Sequence, residues 1–341
     1  MSLQSKYLKF HEEIKLTRES DEYRAAREKD NLITAKIKAA FKEKGYEVVE
    51  EILLGSMKVH TGIHPPKNRD YDVDRGLVIS DESAPEDAVE PKKIVKDVLS
   101  KHGFSAPKIK KPCVTADYIG SPIHIDFTTF KVDSYGNYHL AIGKENALIG
   151  NKYWDNSDPK GLVEWIQSTD NHQNLLNPLT ANQRQQFIRL VRYLKRWRNV
   201  KYTSEDARSK IFSIALTIMA KKSFVHCDGD DNKALSDTLS NMLESYKFFT
   251  PKGGGNYGLR VKLPVSPQRD VFNDKGDQVA NALRNRLSRL KDVLDEVSEM
   301  TSEKKQCEKL QEQLGDDFPD GVDTAPEKQL SAGISIPSSG A

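Results

Sequence analysis

The sequence predicts an α+β protein of two lobes, in which a lobe with a mixed sheet precedes a helical lobe. Residues 46–142 contain apolar segments with strand-like alternation, separated by turns rich in Gly, Pro and Asn. Residues 183–199 and 277–314 instead carry apolar side chains at helical spacing. Residues 4–45 show the same helical spacing, with an interruption near residue 20, so a long helix is also expected before the first strand.

A change in composition marks the boundary between the two lobes. Asp158 can cap a helix whose first position is Pro159, where the missing N–H is harmless. We therefore expect a first lobe, with the sheet and the N-terminal helices, over residues 1–155 and a helical lobe over residues 156–314. Residues 315–341 are rich in Pro and Gly and poor in large apolar side chains, which predicts a disordered tail.

Composition excludes several classes of protein. No apolar run approaches the roughly 20 residues that a membrane span requires, so a cytoplasmic protein without a membrane partner is expected. The net charge of +2 provides no global basic field for nucleic acid. The three cysteines, Cys113, Cys227 and Cys307, lie far apart, which favours neither a disulfide framework nor a zinc ribbon.

The strongest chemical signal is a pair of aspartates separated by one residue. Asp72 and Asp74 lie in the strand-like segment DYDVDRGLVI, and the period of a strand places both on one face. Asp126 lies in a second such segment, IHIDF. Clustered buried carboxylates repel one another and lose hydration, so a site for divalent cations is the simplest explanation.

A Gly-Ser pair precedes these aspartates. Gly55 allows close approach of the backbone to a ligand, and Ser56 offers a hydroxyl and an N–H, which suits a triphosphate. Two other interpretations of the acidic segment remain open. It looks like the start of an EF-hand loop, although Arg75 stands where that loop needs Gly. It is also compatible with an exposed acidic turn that holds no metal.

The order of Gly-Ser, Asp-x-Asp and a distant single Asp resembles the polymerase-beta-type nucleotidyltransferases. The segments NSDPKGLVEWI, RLVRYLKRWRN and KIFSIAL are similar to the bacterial cGAS/DncV-like nucleotidyltransferases, or CD-NTases, and the resemblance spans roughly residues 40–300. It implies a bilobed polymerase-beta-like fold with a long N-terminal spine helix. It also implies two Mg²⁺ ions, with Mn²⁺ as an alternative, held by Asp72, Asp74 and Asp126.

The same resemblance implies roles for further residues. Gly55, Ser56, Lys195 and Ser213 would bind the donor nucleotide, an ATP, a GTP or a pyrimidine triphosphate. The animal cGAS enzymes carry a zinc-containing insertion with no counterpart here, so no obligatory DNA activator is expected. The Gly-Ala terminus resembles tails that are conjugated by partners similar to ubiquitin-transfer enzymes, although a merely solubilising tail is an equal alternative.

We therefore expect a Mg²⁺-dependent enzyme that synthesises a cyclic di- or trinucleotide signal from ATP- or GTP-type nucleotides. In the family, such a signal acts in antiphage (CBASS) defence. A transferase that makes linear oligonucleotides or extends an RNA 3′ end is the nearer alternative. A non-catalytic nucleotide-binding protein is the more distant one, and three clustered carboxylates argue against it.

Overall fold

The computed structural model describes residues 3–65, 71–172, 175–273 and 276–322, and it confirms the α+β class. The helices are α1 (Leu3–Ile14), α2 (Asp21–Glu43), α3 (Gly55–Lys58), α4 (Glu90–Lys101), α5 (Pro159–Gln167), α6 (Ala181–Lys201), α7 (Glu205–Ser209), α8 (Ser213–Ser223), α9 (Asp231–Leu243), α10 (Asp277–Glu299) and α11 (Glu303–Leu314). The strands are β1 (Val48–Leu53), β2 (Tyr71–Ser80), β3 (Phe104–Ile109), β4 (Val114–Tyr118), β5 (Ile123–Val132), β6 (Tyr138–Ile142), β7 (Tyr153–Ser157), β8 (Phe249–Gly253) and β9 (Asn256–Leu259).

Seven of the described strands form one mixed sheet. Its order is β1-β2-β5-β4-β3, and β6 also pairs with β5 and carries β7 at its outer edge. The strands β2 and β5 run parallel, whereas the other pairs in this sheet are antiparallel. The parallel pair is central to the molecule because it brings together two segments that are distant in the sequence.

The two faces of β2 and β5 have different surroundings. Odd-numbered side chains such as Leu77 and Phe127 enter a core that includes residues of α2 and α4. Even-numbered side chains face the other way, where Val78 and Phe130 pack with Ile52 in a smaller apolar cluster. The predicted metal-binding aspartates have even numbers, so alternation places them on this second face.

A second and larger core lies among the helices of the C-terminal half. It contains buried side chains from α6, α8, α9, α10 and α11, including Trp197, which is fully buried as predicted. Asp158 caps α5 by accepting a hydrogen bond from Gly161 N, which confirms the predicted start of that helix.

The N-terminal region is divided between the two cores. Tyr7 and Phe10 of α1 belong to the core of the helical half, where the Tyr7 hydroxyl donates to Asn232 Oδ1 at 2.8 Å. Ile37 and Phe41 of α2 belong to the core of the sheet instead. Each core is thus reached by its own helix, and the described chain contains no continuous spine helix along both.

Three local predictions need correction. Residues 108–119 are predicted from their sequence as one strand, but β3 ends at Ile109 and a turn leads into β4. The glycine run at residues 253–255, whose composition predicts a flexible connection, ends β8 at Gly253 and forms the turn of the β8–β9 hairpin with Gly254 and Gly255. The helical pattern over residues 277–314 forms the two helices α10 and α11.

The described residues contain no helix that is both long and apolar enough to cross a membrane.

The prediction of disorder from Gly315 onward is wrong for residues 315–322. Phe318 is fully buried and packs edge-on against Tyr7. Asp317 forms an ion pair with Arg196 at 3.1 Å, which ties the segment to α6. The buried Phe318 ring and these polar contacts together order the segment. Residues 323–341, which carry the Gly-Ala terminus, lie outside the described residues.

We expect Phe318→Ala to lower the free energy of unfolding by about 3 kcal/mol, as is typical when a buried Phe side chain is removed from a core. Chemical denaturation with two spectroscopic probes measures this change. The matched control is Val322→Ala at the end of the same segment, whose side chain is exposed, and it should cost little. Equal stability of the two variants would contradict the packing described for Phe318.

Candidate active site

The parallel pairing of β2 with β5 brings the three predicted aspartates together. In its register Asp74 lies directly opposite Asp126, and Asp72 lies opposite His124. Opposite residues share a face, and so do residues two apart in one strand. Asp72, Asp74 and Asp126 therefore lie on one face of two adjoining strands, as the sequence pattern required for the first two and left open for the third.

The neighbouring strand β4 adds two polar side chains to this face. It pairs with β5 so that Asp117 is opposite His124 and Thr115 is opposite Asp126. Six side chains on three adjacent strands therefore form one polar surface. They are Asp72, Asp74, Thr115, Asp117, His124 and Asp126.

Asp74 occupies the least favourable position for a negative charge. Burial raises its pKa to about 7, and the negative charges of Asp72 and then Asp126 act in the same direction. The positive charges of Lys195 and His124 oppose this effect only in part. A cation at this position would relieve the repulsion.

Asp126 has different surroundings. Burial alone would raise its pKa, but the interactions with His124 and then Thr115 hold the pKa below its usual range. Its Oδ1 atom is buried and accepts no hydrogen bond within the described part of the chain. His124 Nε2 lies 3.5 Å from that oxygen. A buried carboxylate oxygen without a donor is available to a ligand.

The Gly-Ser turn lies directly against Asp74. Gly55 begins α3 with a φ of +63°, and a Cβ added to it would lie 1.8 Å from Asp74 Oδ2. The backbone N–H of Leu54 donates to Asp74 O at 2.9 Å, which fixes the turn to β2. Only glycine permits both this backbone conformation and this approach. Ser56 follows at the start of the same short helix and is half-buried.

Three basic residues of α6 hold the segment that follows this turn. Arg192 donates to the carbonyls of Gly62 and His60, and Arg196 donates to His64 O. Lys195 Nζ donates to Thr61 O at 2.9 Å and to Thr61 Oγ1 at 2.8 Å. These contacts join the helical half of the molecule to the segment that follows the Gly-Ser turn.

Lys195 is buried and lies within the electrostatic reach of the carboxylates. Burial, and then the charges of Arg198 and Arg192, lower its pKa to about 7, although Asp74 and Asp72 act in the opposite direction. Its contact residue Thr61 also donates its backbone N–H to Ser56 O at 2.9 Å. The predicted nucleotide ligands Ser56 and Lys195 are therefore connected through one residue that the sequence did not reveal.

Ser213 is the first residue of α8 and is connected to α6 by a different contact. Its Oγ accepts a hydrogen bond from Arg198 Nη1 at 2.6 Å. In the ranges that the structure describes, it makes no hydrogen bond to the Gly-Ser turn or to the three aspartates. The structure thus brings the other six predicted site residues together. Among the contacts of the described residues, Ser213 is connected to α6 only through its hydrogen bond with Arg198.

The residues on this face fit a divalent cation in their chemistry. Carboxylate oxygens are the ligands that Mg²⁺ prefers, and Asp126 Oδ1 has an open acceptor position. Within the described ranges, no three side chains of His, Cys, Asp or Glu already converge on a point that would hold an ion. The strands therefore place the carboxylates side by side, but the described side chains do not already surround one point as the ligands of a bound ion would.

Sequence reasoning missed His124, Thr115 and Asp117. The signal for His124 was present, because it lies two residues before Asp126 and alternation puts it on the same face. Thr115 and Asp117 had no such signal, since their place depends on the register between β4 and β5. That register was hidden because residues 108–119 read as one uninterrupted strand.

A mixed sheet with acidic side chains on two adjacent strands, beside a Gly-Ser turn, is the arrangement expected of polymerase-beta-type nucleotidyltransferases. Residues 51–130 match the family model described as "Cyclic GMP-AMP synthase DncV-like, nucleotidyltransferase domain". A cyclic GMP-AMP synthase of Escherichia albertii is 30% identical over 170 residues. Over these segments the chain is similar to the cGAS/DncV-like nucleotidyltransferases. That alignment covers 49% of this chain and 35% of the E. albertii enzyme.

Solved structures support the same fold. The CD-NTase CdnG of Bradyrhizobium diazoefficiens, solved with GTP, has a TM-score of 0.69 at 15% identity, covering 93% of this chain and 96% of that one. CdnC of E. coli MS115-1, solved with a HORMA protein, has a TM-score of 0.65 at 16% identity, with coverages of 93% and 98%. DncV of Vibrio cholerae has a TM-score of 0.59 at 16% identity, with coverages of 80% and 70%.

Proposed function

We propose that this protein is a Mg²⁺-dependent enzyme that joins ATP- or GTP-type nucleotides into a cyclic di- or trinucleotide. The observation that carries the proposal is the position of Asp74. It lies opposite Asp126 in the parallel strand pair, and Gly55 is in direct contact with it. The Gly-Ser turn thus lies next to the clustered carboxylates, which supports the proposal because transfer of a nucleotide requires phosphates and metal ligands close together.

The metal would be held by Asp72, Asp74 and Asp126. We propose two Mg²⁺ ions, with Mn²⁺ as the alternative metal. When bound, these ions lower the pKa of the attacking hydroxyl and stabilise the charge of the leaving pyrophosphate. The contribution of the chain is to hold three carboxylates on a rigid sheet. Asp126 Oδ1, which accepts no hydrogen bond from a described residue, has a lone pair open toward such a ligand.

The donor triphosphate would lie along the Gly-Ser turn. Backbone N–H groups at the start of α3, together with the Ser56 hydroxyl, would donate to its phosphates. Lys195 would add a positive charge for the phosphates, and its hydrogen bonds to Thr61 would be replaced by hydrogen bonds to the phosphate oxygens. Ser213 would join this set through a rearrangement of its contact with Arg198.

Ring formation requires the same reaction more than once. In each transfer, a ribose hydroxyl oxygen forms a bond to the α-phosphorus of a triphosphate, and the bond from that phosphorus to pyrophosphate breaks. The hydroxyl proton is transferred to a water molecule or to a carboxylate. For a dinucleotide, the linear intermediate has to rebind with its ends exchanged before the second transfer closes the ring.

The proposed setting follows from the family. We place the enzyme in the cytoplasm, where nucleoside triphosphates are abundant, and assign its product to antiphage signalling. A partner similar to ubiquitin-transfer enzymes would act on the C-terminal tail, and no DNA activator would be obligatory. Unchanged conjugation after deletion of residues 339–341, in cells that carry the partner genes, would exclude the role of the tail.

The direct test incubates the purified protein with each pair of labelled nucleoside triphosphates and Mg²⁺. Phosphatase treatment and mass spectrometry follow. A phosphatase-resistant product of cyclic mass supports the proposal, because a ring has no terminal phosphate. Products that phosphatase converts to linear species without terminal phosphates would identify the linear transferase instead. Absence of any product, with nucleotide binding retained, would identify a binding protein.

The proposed role of Lys195 leads to a further prediction. We expect Lys195→Met to raise KM for the donor triphosphate about tenfold or more, because a hydrogen bond to a charged group contributes about 1.5–3 kcal/mol. Steady-state kinetics measure this change. The matched control is Lys221→Met on α8, since Lys221 is also a buried lysine that donates to backbone carbonyls. An equal rise in KM for both variants would show a general packing effect and contradict the role of Lys195.

A further inference from the structure

His124 is held from both sides of its ring next to the third carboxylate. Its Nδ1 lies 2.5 Å from Asp117 Oδ1, and its Nε2 lies 2.6 Å from Thr115 Oγ1. The same Nε2 is 3.5 Å from Asp126 Oδ1. The ring therefore has little freedom to rotate and presents one nitrogen toward Asp126.

The position of the His124 ring is determined by the register of β4 and β5. Asp117 is the direct cross-strand neighbour of His124, and Thr115 is the direct neighbour of Asp126. Direct cross-strand neighbours have Cβ atoms about 5 Å apart, so a short acid can reach the ring of a histidine. Asp117 is 57% exposed and belongs to none of the assigned ligands, which leaves its carboxylate available to orient the ring.

We propose that His124, oriented by Asp117, is a positioning residue for Asp126. In this arrangement the histidine limits where the Asp126 carboxylate can lie, and so determines how well the third carboxylate meets a cation shared with Asp72 and Asp74. Partners of this kind, outside the ligands themselves, orient ligands in many metal sites. The inference rests on the proposed function, since it concerns the same carboxylates.

The chain contains a matched histidine elsewhere. His139 on β6 is also paired with an aspartate, with its Nε2 3.6 Å from Asp133 Oδ2, and its side chain is 22% exposed against 26% for His124. His139 lies beside the far end of β5, where it is the register partner of Lys131. Replacement of His139 thus removes a similar contact between a histidine and an aspartate without touching Asp126.

The experiment measures binding of Mn²⁺ to the full chain by electron paramagnetic resonance, with a non-hydrolysable ATP analogue present. We expect His124→Gln to weaken Mn²⁺ binding about 10- to 100-fold, as loss of an orienting partner does in other metal sites, and His139→Gln to leave it unchanged. Kinetics with Mg²⁺ should show the same difference as a higher Mg²⁺ requirement, with KM for the nucleotide at saturating Mg²⁺ close to that of the wild type.

The contribution of Asp117 is tested by Asp117→Asn, alone and combined with His124→Gln. The single variant retains a hydrogen-bond acceptor at an exposed position, so it should fold and weaken Mn²⁺ binding less than His124→Gln does. If Asp117 acts only through His124, the double variant should bind Mn²⁺ no more weakly than His124→Gln alone. Additive losses would overturn the positioning role assigned to Asp117.

Two further outcomes separate this inference from the proposed function. If Asp126→Asn loses Mn²⁺ binding while His124→Gln retains the affinity of the wild type, the inference is overturned and the metal site stands. If the wild type binds no Mn²⁺ with the analogue present, the proposed metal-dependent function fails, and the inference fails with it.

Discussion

A chain carrying Asp74→Asn is expected to form product about a thousandfold more slowly than the wild type and to fold at least as well. Metal-assisted stabilisation of charge contributes several kcal/mol to such reactions, and each 1.4 kcal/mol changes the rate about tenfold. Asp74 lies between the other two carboxylates, so the amide removes a central ligand charge. Because burial and the charges of Asp72 and Asp126 already disfavour its ionised form, the fold should not depend on that charge.

Release of pyrophosphate measures the rate, and thermal unfolding without divalent cations measures the stability. The control is Asp97→Asn, which replaces an exposed aspartate of α4 and should change neither quantity. A loss of about tenfold or less for Asp74→Asn would mean that Asp74 contributes no more than a single modest interaction. That result would contradict the role of Asp74 on which the proposed function rests.

Gly55→Ala is expected to have the second-largest effect, because one methyl group would enter the space that Asp74 Oδ2 occupies. The added Cβ would lie 1.8 Å from that oxygen, so either the turn or the carboxylate has to move. Displacement of a reacting group by about 1 Å can cost about a hundredfold in rate. The left-handed conformation at Gly55 adds a folding cost of about 1–2 kcal/mol for a residue with a Cβ.

Gly120→Ala separates these two effects. Gly120 has a φ of +78° in the turn between β4 and β5, and a Cβ there would meet no atom within 4 Å. Both variants should therefore show a similar loss of stability on denaturation, whereas only Gly55→Ala should lose most of its rate of product formation. Equal rates for the two variants would show that the approach of Gly55 to Asp74 has no importance for the reaction.

The sequence by itself determined the features that depend on local periodicity and on residue type. Alternation along β2 put Asp72 and Asp74 on one face, and helical spacing predicted α6 with Trp197 in its buried stripe. The order of the Gly-Ser pair and the three aspartates was enough to indicate the class of protein. These predictions hold because neighbours along a helix or a strand have fixed relative positions, whatever else the chain does.

Only the tertiary structure decided which distant segments meet. The parallel pairing of β2 with β5 brought Asp126 beside Asp74, and the register of β4 added Asp117 next to His124. Thr61 was identified by its contact with Lys195, and Phe318 by its pocket against α1. Periodicity states which way a side chain faces but not which strand or helix lies opposite, because that choice depends on packing of the whole chain.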